Sequence, residues 1–161
     1  MGIQNGISEE SVHMNRLEIR FKLDPFLTLE KNLVHQKNGK LLIDVDGELK
    51  IMLDELCFFY EPSLTLLELG VSLKMWRTRD PGAAKNFDYF TMEHDEREGP
   101  ILAFVKKSET EWHLFSIWQE FKQEDTISQD VLLEAVDQYL VDLEEVLIKK
   151  FRIRYSDFAK F

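Results

Sequence analysis

Apolar and charged residues alternate regularly near the start of the chain. The apolar positions are Leu17, Ile19, Phe21 and Leu23, with one charged residue between each pair. A period of two residues is typical of a β-strand that buries one face. The pattern therefore predicts a strand that ends before Asp24-Pro25.

Two dipeptides with turn-forming composition follow, Asn38-Gly39 and Asp46-Gly47. Both central residues of a type I′ hairpin turn have positive φ, which Asn, Asp and Gly tolerate best. The segments beside them, residues 40–45 and 48–53, are apolar at alternate positions. We interpret this region as a β-meander.

A helical pattern begins after Glu61-Pro62, which interrupts the extended chain. Residues 64–77 carry apolar side chains at helical spacing, so a helix is expected there. Gly70 lies inside it, although glycine costs a helix about 1 kcal/mol relative to alanine.

Three later segments predict strands: residues 87–94, 100–107 and 112–121. The links between them are short, which favours antiparallel neighbours. Both faces of the last segment carry large apolar groups, so we expect this strand to be central in its sheet.

The last predicted element is a long helix. Ser128 is a typical N-cap residue, and Lys149 and Lys150 complement the negative C-terminal end of the helix dipole. The apolar positions between them keep helical spacing. They are Val131, Leu132, Ala135, Val136, Tyr139, Leu140, Leu143, Val146 and Leu147.

The order of these elements predicts an α+β fold. We expect one antiparallel sheet of about five to six strands, built from the meander and hairpins, with two helices packed on it and the longer one C-terminal. A length of 161 residues fits one domain. Residues 1–14 are polar and without periodicity, so we interpret them as a flexible leader before a single domain at 15–161.

The net charge of the chain narrows the classes of macromolecule that it is expected to bind. Thirty acidic residues against twenty basic ones give a formal net charge of -10, which argues against nucleic acid and anionic membrane. It favours fast encounter with a basic protein. The single cysteine, Cys57, can form no internal disulfide, and no stretch has the composition of a membrane span or signal peptide. These features predict a cytoplasmic protein.

The sequence contains few patterns typical of a catalytic or metal-binding site. From Asp44 to Glu55 the acidic spacing is that of a calcium loop, but Leu49 occupies the position where such a loop needs glycine. The four histidines form neither a close pair nor a His/Cys cluster. Nucleophile elbows, phosphate-binding loops and dinucleotide fingerprints are missing. We therefore predict no metal site, no cofactor and no catalytic residues.

Two acidic regions are candidate partner-binding surfaces. The first is the connection at 93–98, which contains Glu93, Asp95, Glu96 and Glu98; a solvated loop is its alternative interpretation. The second is the outer face of the long helix, where carboxylates surround two β-branched residues that can anchor a basic partner. Its members are Asp130, Glu134, Asp137, Val141, Glu144 and Ile148. Alternatively, these apolar positions cover the C-terminal tail.

Several local runs carry a resemblance to known proteins. They are Val45-Asp46-Gly47, Glu61-Pro62, the Leu-rich helix ending at Trp76, and Ser-Ile-Trp-Gln-Glu-Phe at 116–121. From about Gly39 to Ile148 the chain resembles small acidic proteins of Bacillus-type bacterial genomes. In size, charge and α+β design it resembles immunity proteins of bacterial toxin systems, which bind and block a toxin inside the producing cell. The resemblance implies no catalytic residues, and it implies that Trp112 and Trp118 are core residues.

The sequence thus leads to a non-catalytic binding protein that neutralises a basic partner, in the manner of an immunity protein covering a toxin's active site. The alternative is a scaffold or regulatory subunit with a largely apolar protein contact. A small acid-base enzyme would require a deep cleft that encloses two carboxylates. The sequence leaves the oligomeric state open.

Overall fold

The computed structural model describes residues 16–91 and 94–161. The predicted leader at 1–14 lies outside these residues. Within them are seven strands and four α-helices. In chain order they are β1 (Leu17–Leu23), α1 (Lys31–Gln36), α2 (Leu41–Asp44), β2 (Asp46–Leu53), β3 (Leu56–Thr65), α3 (Leu66–Arg79), β4 (Phe87–Tyr89), β5 (Leu102–Lys106), β6 (Glu111–Phe115), β7 (Ile127–Ser128) and α4 (Gln129–Phe151).

The strands form two antiparallel sheets. The first has the order β1-β2-β3 and the second has the order β4-β5-β6-β7. The α+β class and the long C-terminal helix are therefore confirmed. The prediction of one sheet with two helices is wrong, because the described part of the chain contains two sheets and four α-helices.

The Asn38-Gly39 hairpin is replaced by a link between α1 and α2. Lys37 ends α1 in the left-handed region with φ 53°, and the Asn38 side chain accepts the backbone N–H of Lys40 at 2.9 Å. This Asx turn leads directly into a helical turn, which buries Leu41. The same side chain that favours a hairpin turn thus starts a helix here.

Gly47 lies inside β2 instead of in a turn, so the Asp46-Gly47 prediction is also wrong. Its nearest neighbours are on β1: an added Cβ would collide with the carbonyl oxygen of Lys22 and lie 2.9 Å from Leu23 Cα. Glycine is needed for close backbone approach rather than for positive φ. The link between β2 and β3 is made at Asp54, which has φ 54°.

The second sheet confirms the three later strand predictions, with shorter strands. β6 lies between β5 and β7, so its predicted central position is also confirmed. Trp112 is fully buried and contacts the Trp76 ring of α3 edge to face at 5.7 Å. Phe87 and Phe104 extend this aromatic cluster between α3 and the second sheet.

α3 begins two residues later than predicted and is buried along its first half. Gly70 faces the C-terminal tail: an added Cβ would lie 2.8 Å from Tyr155 Cε1 and 3.2 Å from Leu143 Cδ2. The glycine that weakens the helix locally therefore lets Tyr155 and α4 approach it.

α4 confirms the clearest sequence prediction. The Ser128 hydroxyl accepts the N–H of Val131 at 3.2 Å, and Arg152 ends the helix with φ 57°. The buried face of α4 packs on the first sheet through the edge-to-face pair Phe21–Tyr139, with ring centroids 5.7 Å apart. The Tyr139 hydroxyl donates to the Leu66 carbonyl at 3.0 Å and so joins α4 to the start of α3.

Candidate functional site

The N-terminal half of the outer face of α4 is open. Asp130, Glu134, Asp137 and Val141 follow one another at helical spacing and are all exposed. Val141 is 59% exposed. With Leu133 and Gln138 these residues line a shallow depression of about 430 Å³. We call this surface the acidic face; it is the helix surface predicted from the sequence, shortened at its C-terminal end.

The carboxylates of the acidic face are not equivalent. Asp137 accepts two hydrogen bonds from Arg77 of α3, at 2.8 and 3.0 Å, and this contact raises the pKa of the Arg77 guanidinium. No side-chain hydrogen bond or ion pair joins Asp130 or Glu134 to another residue within 16–91 or 94–161. Asp130 and Glu134 are therefore available to a partner, whereas Asp137 is already paired with Arg77.

The C-terminal half of the predicted surface has a structural role. Glu144 is half-buried, and its Oε2 accepts the backbone N–H of Tyr155 at 2.8 Å. Ile148 is also half-buried. The tail residues Ile153 and Tyr155 are buried. Glu144 therefore belongs to the tail contact, and Ile148 is less open than Val141.

The acidic connection is exposed and locally ordered. Glu93 lies outside the described residues. Asp95, Glu96 and Glu98 are exposed, and the last two belong to a single 3₁₀ turn. The Asp95 carboxylate accepts the N–H of Arg97 at 3.0 Å and pairs with its guanidinium. These contacts hold the pKa of the Asp95 carboxyl below its usual range.

Exposed aromatic residues near this connection were not predicted from the sequence. Trp118 is 42% exposed, and its ring contacts His94 edge to face at 5.8 Å. Phe115, at the end of β6, is 38% exposed. Trp112 is a core residue, as the resemblance implied. Trp118 is not a core residue, so the resemblance was wrong at this position, and the cause is local. The Ser116 hydroxyl accepts the N–H of Trp118 at 2.9 Å, which turns the chain out of the strand.

Two more depressions adjoin the acidic face, between α4 and the unpaired side of β1. One measures about 460 Å³ and the other about 280 Å³. The smaller one shares Glu134 and Gln138 with the acidic face. The candidate surface therefore continues from the exposed side of α4 to the edge of the first sheet. Nothing in the hydrophobic pattern identifies it, because it depends on how α4 lies beside β1.

Two of the described histidines, His94 and His113, have local hydrogen-bond partners. A ring nitrogen of His94 bonds to the Gly99 carbonyl at 2.9 Å, and a ring nitrogen of His113 bonds to the Gln123 carbonyl at 2.7 Å. No group of three or more His, Cys, Asp or Glu residues within 16–91 and 94–161 is arranged to hold a metal ion. None of the helices in that part of the chain has the length and apolar character needed to cross a membrane.

Comparison with known proteins gives a family. Residues 19–149 match the family described as Domain of unknown function (DUF7878), so β1 to α4 carry the match. No curated protein and no solved structure matches the chain. The chain belongs to the DUF7878 family.

Proposed function

We propose that this member of the DUF7878 family is a non-catalytic binding protein whose acidic face engages a basic protein. In its more specific form, the protein is an immunity protein that covers the active site of a basic toxin. The supporting observation is the arrangement on α4: two carboxylates without a cationic partner in the described residues, Asp130 and Glu134, beside the exposed side chain of Val141.

The arrangement has the chemistry that such a contact needs. An exposed apolar residue supplies area that can be desolvated, and carboxylates around it form a polar rim. A toxin that binds nucleic acid has cationic groups where substrate phosphates lie, and Asp130 and Glu134 would occupy those positions. The net charge of -10 accelerates the encounter, and this acceleration weakens as salt rises.

A two-stage experiment tests the proposal. The tagged protein first recovers partners from lysate of the source organism at low and raised salt, and a recovered basic protein is then purified. Its association rate is measured with the wild type and with an Asp130→Lys, Glu134→Lys variant. We expect association to be at least about tenfold slower for the variant at low salt, because charge complementarity acts mainly on the association rate.

A control with the same change in net charge is available away from α4. Asp88 on β4 and Glu120 after β6 are both exposed, so Asp88→Lys, Glu120→Lys changes the total charge equally. An equal loss in both variants would attribute the effect to net charge alone. An unchanged rate in the α4 variant would remove the acidic face from the contact.

The second candidate function is a scaffold or regulatory subunit with an apolar contact. The exposed rings of Trp118 and Phe115 favour it, because tryptophan is enriched where a few residues dominate a protein interface. This contact should persist in raised salt. It should be weakened by Trp118→Ala and unaffected by Asp130→Lys, Glu134→Lys, which is the reverse of the pattern expected for the immunity role.

A further inference from the structure

β1 is an edge strand of the first sheet, and its hydrogen bonds show which backbone groups face outward. The Asp54 N–H donates to the Arg16 carbonyl at 2.8 Å, and the Asp24 N–H donates to the Asp46 carbonyl at 3.4 Å. Hydrogen-bonded residues alternate along an antiparallel ladder. The even-numbered residues of β1 therefore bond to β2.

The odd-numbered residues direct their N–H and C=O groups away from β2. These are Leu17, Ile19, Phe21 and Leu23, and no residue in the described part of the chain pairs with their backbone on that side. Unpaired groups of this kind are a template for another strand. We call the outward backbone of Leu17, Ile19 and Phe21 the open edge.

A groove runs along the open edge. Its larger part is lined by residues 17–21 on one side and by Ala135, Gln138 and Asp142 of α4 on the other. Its smaller part continues to Arg16 and Glu134. Five strand residues correspond to about 17 Å of extended chain, so the groove is long enough to accommodate a short strand.

The charges in the groove favour a basic guest. Arg16, immediately before β1, and Arg20 on β1 share one carboxylate, that of Glu18, at 2.9 and 2.8 Å, so these three side chains together carry one positive charge. On the opposite wall, Asp142 accepts only the amide of Gln138, at 2.9 Å, and Glu134 has no side-chain partner among the described residues. Two carboxylates in the groove therefore lack a described cationic partner.

The charges of the groove also indicate which kind of chain segment can bind in it. Residues 1–15 contain Glu9 and Glu10 but no Lys or Arg, so their charge does not complement the groove. A second copy paired with β1 about a two-fold axis would bring its own Glu134 and Asp142 to the interface. A segment of another protein with alternating basic side chains fits the charges of the groove.

We propose that an extended basic segment of the partner adds to the first sheet as a fourth strand along the open edge of β1, with its basic side chains on Glu134 and Asp142. This is recognition by strand addition, in which main-chain hydrogen bonds give affinity and alternate side chains give specificity. The inference rests on the proposed function for the identity of the partner but not for the existence of the site.

The first test uses the full chain without a partner. Amide hydrogen exchange should be about 100-fold faster at Ile19 and Phe21 than at Glu18 and Arg20, because only the latter donate to β2. Slow exchange at Ile19 and Phe21 in the free protein would mean that the edge is already occupied by residues 1–15 or by a second copy. Either occupant would overturn the proposal.

The second test adds a probe, the capped peptide Thr-Lys-Val-Lys-Val-Lys-Thr. At a millimolar concentration it should slow exchange at Ile19 and Phe21 by about threefold or more. A version methylated at alternate backbone nitrogens should have no effect, because it cannot form the ladder. Failure of the unmethylated peptide to slow exchange at these amides would overturn the proposal.

Two variants with the same charge change separate this inference from the proposed function. Asp142→Lys alters the groove and should remove the protection given by the peptide, whereas Asp130→Lys lies outside the groove and should retain it. Equal protection in both variants would overturn the assigned role of Asp142. Protection of the wild type, together with recovery of no basic partner, would support the strand site and count against the immunity role.

Discussion

The two long helices differ in how much of their surface is left for function. From Leu66 to Val71 every residue of α3 is buried, because this half of the helix packs against its neighbours on all sides. α4 buries only one side and keeps Asp130, Glu134 and Val141 exposed. Packing therefore constrains nearly every position in the first half of α3, whereas the outer positions of α4 are free to carry a binding surface.

Two glutamates, one on each helix, show the contrast between α3 and α4 directly. Glu68 of α3 is 8% exposed, and its Oε1 accepts hydrogen bonds from the Thr65 and Tyr89 hydroxyls at 2.9 and 3.0 Å. Glu134 of α4 is in solvent. A buried carboxylate must be satisfied within the fold, so Glu68 has a structural role and Glu134 does not.

The largest predicted effect concerns three buried tyrosines, one on β4, one on α4 and one in the C-terminal tail. Burial raises the pKa of Tyr89, Tyr139 and Tyr155 above the ordinary value of about 10. Because the folded pKa exceeds the unfolded pKa, this contribution to stability is complete below pH 10 and is lost as the pH rises above it. Each phenol that ionises only in the unfolded chain lowers the free energy of unfolding by about 1.4 kcal/mol per pH unit.

The measurement is a series of urea denaturation curves from pH 8 to 12, with phenolate absorbance as a second signal. Tyr139→Phe should reduce the slope of stability against pH above 10 by up to about 1.4 kcal/mol per pH unit, since one buried phenol is removed. A wild-type slope of zero above pH 10 would show that the three phenols ionise equally well in the folded protein.

The elements whose signals are local could be predicted from the sequence. Ser128 and the apolar spacing after it gave α4 nearly to the residue. The turn predicted at Gly47 was wrong, because the sequence does not distinguish a glycine needed for a turn from one needed for close approach to β1. The division into two sheets depends on long-range pairing, which alternation along single strands does not specify.

The candidate site was predictable to a similar extent. Helical spacing placed Asp130, Glu134 and Val141 on one surface, and the structure brings them together. The same spacing added Glu144, whose contact with Tyr155 depends on where the tail returns. The groove beside β1 was missed for the same reason, since it is formed by two segments far apart in the chain.

The second prediction compares one leucine of α3 with one valine of α4. Leu69 is fully buried and Val141 is largely exposed. Leu69→Ala should lower the free energy of unfolding by about 2–5 kcal/mol, because it leaves a cavity. Val141→Ala should change it by less than about 0.5 kcal/mol. Chemical denaturation of both variants measures the difference; a cost for Val141→Ala equal to that for Leu69→Ala would show that α4 is covered on its outer side.

The smallest effect concerns the ion pair that joins the two helices. Arg77 and Asp137 form two hydrogen bonds at 2.8 and 3.0 Å, but the Asp137 side chain is 51% exposed, so solvent screens the pair. A double-mutant cycle with Arg77→Ala and Asp137→Ala should give a coupling energy of about 0.2–1 kcal/mol, decreasing as salt rises. A coupling of zero would mean that Asp137 is not held by α3. Its carboxylate would then be available on the acidic face with Asp130 and Glu134, and the binding variants should be extended to include it.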